Sequence, residues 1–382
     1  MAVELESLTG GEPREVKISD LEKEISELWR SANKDASGAE AVMRAAALTL
    51  VVYVESSEAA EEVHSLVGAL SEQNPCRVII LIAQPGDQPA NLRSWISAQC
   101  KCDASGSSRK QIRLEEIAIR ASGDAVRDLG NLALQSTLSG LPVYFWWRAG
   151  RFNPPEHFDQ ILRVSSHVLV DSARFDDAEA DLVALARLAK ERTKNHAFVD
   201  LNWARLAPWR ELIAQCFDNP GTRGYVERIR RVHVEYEAES PRHSAQAAQA
   251  LLITAWLASR LNWEPARLPV KKAAASGSNR LQSPTGEVEI QRVARSFEGG
   301  GGGVCFSVSL EAEGDPPASF RLERGCDGRN VVTRAEIQGR PPVSRTARLE
   351  VLEEAELLNG ELQFPGRDRV FDEALEYVAN SQ

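Results

Sequence analysis

The sequence lacks the spacings that announce a metal or a redox centre. Its six cysteines (Cys76, Cys100, Cys102, Cys216, Cys305 and Cys326) are too few and too scattered for a disulfide scaffold in 382 residues. Only Cys100 and Cys102 are close. They form C-x-C rather than the C-x-x-C of a zinc ribbon or thioredoxin-type site. The six histidines show no H-E-x-x-H or Cys/His pattern, so no metal is expected. No run approaches the roughly 20 apolar residues of a membrane span. Basic charge is not in excess either: 45 Lys and Arg face 55 Asp and Glu, a formal charge of −10. Nucleic acid and anionic membranes need a concentrated basic surface, so neither is expected as a partner. The opening MAVELESLTGGEPREVK is acidic and carries no secretory-signal pattern. A soluble, cytoplasmic protein is the expectation.

What is present is a two-part pattern, and 43% hydrophobic residues are enough for substantial cores. Ser19 and Glu22 fit a capping box ahead of Leu21, Ile25, Leu28 and Trp29 at helical spacing. Residues 48–54 (LTLVVYV) read as a strand buried on both faces. Ser57 is the expected cap of a helix carrying Ala60, Val63, Val67 and Leu70 on one side, and residues 78–83 (VIILIA) form the next strand. That is a βαβ unit, right-handed and parallel. Residues 96–102 and 112–121 read as a hairpin, and 142–148 (PVYFWWR) and 167–172 as further strands. Residues 1–172 are thus expected to form a Rossmann-like three-layer α/β domain.

Residues 173–382 read as an α+β domain with a mostly antiparallel sheet. Helical stretches at 176–194, 208–217 and 245–261 precede a linker-like segment at 271–286. A strand meander then follows, and a helix at 371–379 closes the chain.

A Rossmann-like pattern makes the phosphate loop the test of a dinucleotide reading. After the first strand the chain runs ESSEAAEEV, acidic and without glycine, where G-x-G-x-x-G would stand. No G-x-x-x-x-G-K-[ST] and no G-x-S-x-G occur. The glycines at 299–303 precede a strand and read as a hairpin tip. No catalytic residue and no cofactor is therefore nominated, and an NAD- or ATP-dependent enzyme is disfavoured.

Aromatic and basic residues cluster instead. Trp146, Trp147 and Arg148 end a strand at the carboxyl edge where α/β sheets place ligands. Asp200, Asn202, Trp203, Arg205, Trp209 and Arg210 crowd one connection. Tryptophan and arginine dominate interface hot spots, so these nine are candidate partner-binding residues. They fit equally well as the packing of a junction between domains. Cys100 and Cys102, two apart on a strand, share a face and are candidate redox residues.

Several segments together are specific: ELWRSANKD, RAAALTLVVYV, NPCRVIILIA, WISAQC, LSGLPVYFWWRAG, HVLVDSARF and above all DLNWARLAPWRELIAQCFD. In this order the chain resembles the glucose-6-phosphate dehydrogenase assembly protein family, OpcA, from about residue 28 to 217. The resemblance implies a non-catalytic factor that binds glucose-6-phosphate dehydrogenase and promotes its active oligomer. The implied pathway is the oxidative pentose phosphate route to NADPH. For some members it also implies redox control of the dehydrogenase with thioredoxin as a partner. Two alternatives stay open. One is a sugar-phosphate-binding or hydrolysing protein using Arg148, Arg205 and Arg210. The other is a thiol redox sensor. The acidity lies at the two ends: residues 1–30 carry a net −4 and 350–382 a net −7, leaving the body near neutrality.

Overall fold

The computed structural model describes residues 14–34, 43–44, 46–71, 73–102, 110–155, 158–192, 196–237, 243–265, 277–295, 306–324, 329–350, 352–363 and 366–380. The chain begins β1 (Arg14–Val16), α1 (Leu21–Lys34), β2 (Met43–Arg44), β3 (Leu48–Val54) and α2 (Ser57–Leu70). Next come β4 (Cys76–Gln84), β5 (Asn91–Cys102), β6 (Lys110–Ser122), α3 (Leu129–Gln135) and β7 (Val143–Trp147). The unit closes with α4 (Asp159–Val164), β8 (His167–Val170), α5 (Ala178–Arg192) and β9 (Ala197–Asp200). These strands form one sheet in the order β1-β5-β6-β4-β3-β7-β8-β9, with β2 beside β6. From β6 to β9 every neighbour is parallel. Numbered by appearance, those six strands run 3-2-1-4-5-6, the doubly wound order with its switch point between β3 and β7.

Two apolar layers flank this sheet. On one side α2 packs against Leu50, Val52, Ile80, Tyr144, Trp146 and Leu169. On the other, α1, α3, α4 and α5 cover Val51, Tyr53, Ile79, Ile117, Phe145 and Val168. All seven residues of β3 are buried, as its continuous apolar run requires. The hairpin reading of 96–102 and 112–121 holds: β5 and β6 pair antiparallel over most of their length. In the chain β5 takes the place of a second crossover helix, and α2 reaches across to β6 and β5, its His64 bonding Glu116 at 2.8 Å and its Gly68 lying beside Gln99.

The second unit starts with α6 (Leu201–Arg205), α7 (Ala207–Gln215), β10 (Ile229–Glu237), α8 (His243–Arg260) and β11 (Glu264–Pro265). It continues through β12 (Gly277–Ser283), β13 (Gly286–Arg295), β14 (Phe306–Ala312), β15 (Ala318–Arg324), β16 (Asn330–Ile337) and β17 (Val343–Arg348). The chain ends in α9 (Glu354–Gln363) and α10 (Arg369–Asn380). Its eight-stranded sheet runs β11-β12-β13-β10-β14-β15-β16-β17, antiparallel except for β10 with β13. The α/β first part and antiparallel second part agree with the sequence reading.

Local expectations differ in four places. The first sheet runs on to Asp200, beyond the boundary expected at 172, because β8, α5 and β9 add one more parallel unit. Ser56 rather than Ser57 caps α2, its Oγ accepting from the Ala59 N–H at 3.1 Å. At α1 the expected capping box is replaced by a 3-10 turn over Ile18–Asp20, and Glu22 turns instead to the buried Arg77, 2.7 Å away. Finally, β12 occupies much of the segment read as a linker. Leu281 is its one large apolar residue, and a pattern that sparse is invisible until β13 pairs with it. The glycines at 299–303 lie outside the described residues.

Candidate functional site

The switch point is where a doubly wound sheet presents its crevice, so the carboxyl ends of β3 and β7 form the first candidate site. Beyond β7 the backbone of Arg148 still pairs with β3, its N–H donating to the Tyr53 carbonyl at 3.0 Å. That fixes the direction of its side chain, whose guanidinium is almost wholly enclosed. Nη2 donates to Glu62 of α2 at 2.7 Å and to Glu354 of α9 at 3.2 Å, and Nε reaches Glu354 at 3.3 Å. Arg174 closes the cluster with a 2.8 Å bond to Glu354. Burial opposes the charge of Arg148, but Glu354 and then Glu62 outweigh it and raise its pKa. Burial likewise works against ionised Glu354, and Arg148 and Arg174 hold its pKa below the usual value. The crevice is therefore filled by two guanidiniums and two carboxylates from this chain. Trp146 lies beneath Arg148, 5.5 Å from ring to guanidinium. Trp147 stacks on Tyr53 at 4.2 Å on the opposite face.

The second cluster lies at the ends of β8 and β9, under the start of α8. Asp200 is buried, and its Oδ1 accepts from the N–H groups of Ser172 and Asn202, each at 2.9 Å. Its Oδ2 has no hydrogen-bond partner. Burial, and then the negative charge of Asp171, pushes its pKa up to about 6 against those two bonds. Asp171 is held by both terminal nitrogens of Arg205 at 2.6 and 2.9 Å. Asn202 donates to the Ser172 hydroxyl and to the Ala245 carbonyl and accepts from Gln249, which ties α6 to α8. Trp203 donates to Asp368 at 2.7 Å under Arg210, whose guanidinium stands 3.6 Å from the ring centre. Burial pushes the Arg210 pKa down to about 10, with Asp368 opposing. Trp209 packs edge-on against Phe306 of the second sheet.

The nine residues nominated from sequence thus fall into two groups, one at the switch point and one at the junction of the two sheets. Seven of them are buried: Trp146, Trp147, Arg148, Asp200, Asn202, Trp203 and Trp209. Arg205 and Arg210 are half-buried. The three arginines proposed as a phosphate clamp are each engaged elsewhere, by Glu62 and Glu354, by Asp171, and by the Trp203 carbonyl. Glu354, some 200 residues from Arg148 in sequence, could not be found by spacing. Cys100 and Cys102 lie on β5, with a register shift just before Cys100, and their side chains fall outside the described residues. Cys305 and Cys326 fall outside them altogether. Cys76 and Cys216 are buried, and burial pushes their thiols up to about 12 and about 11, away from reactive thiolate. Among the described residues no cluster of His, Cys, Asp or Glu is arranged to hold a metal ion, and no helix is long and apolar enough to cross a membrane.

Two family models match this chain. Residues 67–187 match the glucose-6-phosphate dehydrogenase subunit N-terminal domain, and residues 196–375 match the C-terminal domain of the same subunit. Relatives bearing the name OxPP cycle protein OpcA include one from Synechocystis sp., 30% identical over 82% of this chain and 65% of its own length. One from Nostoc punctiforme is 35% identical over 50% of this chain and 39% of its own. This chain therefore spans less than two thirds of the length of both. Solved structures similar to it include an oxidoreductase domain protein from Kribbella flavida, with TM-score 0.44 and 12% identity over 88% of this chain and 95% of that one. A myo-inositol dehydrogenase from Lactobacillus casei gives TM-score 0.41 and 10% identity over 87% and 91%.

Proposed function

This chain belongs to the OpcA family of glucose-6-phosphate dehydrogenase assembly proteins, and from that premise we propose that it acts without catalysis of its own. It binds glucose-6-phosphate dehydrogenase and stabilises the enzyme's active oligomer, in the cytoplasm, as part of the oxidative pentose phosphate pathway. One observation carries the reading. The switch-point crevice, where this topology places its ligands, is filled by Arg148, Glu62, Glu354 and Arg174, and the turn into α2 has no glycine to admit a phosphate. A fold kept in its ligand-binding order but closed at its ligand site supports a scaffold that works through its surface. Such a partner activates by binding the active conformation more tightly than the inactive one, which shifts the population.

The test mixes the two purified proteins. A lower apparent KM for glucose 6-phosphate, or a larger sedimenting assembly, is expected. Neither change, with tight calorimetric binding of glucose 6-phosphate to this chain alone, would favour a sugar-phosphate-binding protein instead.

A further inference from the structure

Burial of the sequence-nominated tryptophans leaves the surface question open, and the side chains that remain outside are informative. Of the tryptophans whose side chains are described, only Trp95 and Trp256 are not buried, and Trp256 packs along α8 against the main core. Trp95 lies on β5, on the α2 side of the first sheet, half-buried against the core that α2 forms with β6. Two guanidiniums flank it. Arg93 and Arg120 each stand 5.1 Å from its ring centre. They are also directly opposite one another across the β5–β6 ladder, a like-charge pairing that strands ordinarily avoid.

Only one of the two is ion-paired with a described residue. Arg93 is clasped by both carboxylate oxygens of Glu15, at 2.8 and 2.7 Å. Arg120 makes no ion pair with a described residue, and its Nε is buried without a partner. Burial and the neighbouring Arg93 disfavour its charge more than Glu58 and Glu61 of α2 favour it, and its pKa is lowered. The other carboxylate on this face, Glu116, is already bound to His64 at 2.8 Å. A guanidinium without an ion pair among the described residues, beside a half-buried tryptophan, is what a hot spot holds before its partner arrives.

We propose that the surface patch on β5–β6 beside α2, made by Trp95 and Arg120 with the exposed Arg93 at its rim, is the docking surface for a carboxylate-bearing segment of the partner protein. A carboxylate from outside would give Arg120 the ion pair that no described residue supplies, while Trp95 supplies the apolar contact. The proposal rests on the assembly reading, so the partner is the dehydrogenase.

Binding of the dehydrogenase to the full chain, measured by calorimetry, tests it with three variants. Arg120→Gln should weaken binding at least 10-fold and flatten its decline with salt, while leaving the melting temperature of the isolated chain unchanged or raised. Trp95→Ala should weaken binding comparably. Arg321→Gln, on the exposed side of the second sheet, should bind as wild type does. Wild-type binding that persists in Arg120→Gln overturns the surface and leaves the assembly reading standing. An equal loss in Arg321→Gln also overturns it, because the effect would then be general electrostatics. If Arg120→Gln instead dissociates self-assembly of the isolated chain, the occupant is a second copy and the assignment fails. No binding by wild type removes both readings together.

Discussion

Asp200 shows how one residue's role depends on what surrounds it. In the sequence it is an acid beside Trp203 and Arg205 in a crowded connection. In the fold it caps α6 from the interior, with one oxygen satisfied twice and the other left without a bond. Its pKa rises from 3.8 to about 6, so the folded state holds a proton that the unfolded chain has already lost. The stability this confers is complete below about pH 4 and is lost as pH climbs toward 6. Asp200→Asn should therefore be more stable than wild type at pH 7.5, by roughly 1–2 kcal/mol, with the gap closing near pH 4. Urea denaturation at the two pH values measures it, and parallel pH profiles for the two proteins would remove the account.

Among the elements, α9 is the least legible from sequence and the most consequential for the switch point. Its apolar residues Leu357, Leu358 and Leu362 join the layer above β7, β8 and β9, where right-handed crossovers leave no helix of their own. At one end Glu354 meets Arg148 and Arg174, and toward the other Asn359 and Gln363 bond Gln73 at 2.6 Å. Leu358 is fully buried, and Leu358→Ala should cost about 2–4 kcal/mol. Glu354→Gln leaves the enclosed Arg148 with Glu62 alone and should cost about 2–3 kcal/mol. Hydrogen exchange should accelerate over residues 354–363 in both variants. Unchanged exchange there would mean that α9 is held by something other than these contacts. Glu354 was hidden because an ion pair across so long a separation leaves no periodicity. By contrast, β3 and β4 were plain, because a strand buried on both faces must be a continuous apolar run.

At the scale of the whole molecule, the two sheets share their supports. Helix α10 packs against both α5 of the first unit and α8 of the second. Asn202 joins α6 to α8, Trp203 reaches Asp368, and Trp209 meets Phe306. Buried polar groups spanning a junction resist separation, since parting them leaves donors and acceptors unsatisfied. Calorimetric unfolding should accordingly show one transition with equal van't Hoff and calorimetric enthalpies. Two resolved transitions would show that the sheets are independent units.

The aromatic connection at 200–210 marks how far sequence reasoning reached. Its residues were recognisable as unusual and as belonging together, because Trp and Arg concentrated in a short segment have few ordinary explanations. Whether they faced a partner or the interior depended on contacts with Ala245, Phe306 and Asp368, which no local pattern contains. The sequence by itself determined the classes of the two halves, since strand and helix periodicity is a local property of apolar spacing. It also excluded a glycine phosphate loop and a nucleophile elbow, because those depend on residues adjacent in the chain. Only the tertiary structure decided that the switch-point crevice is closed and that Arg120 makes no ion pair with a described residue, since both depend on charges brought together from distant segments.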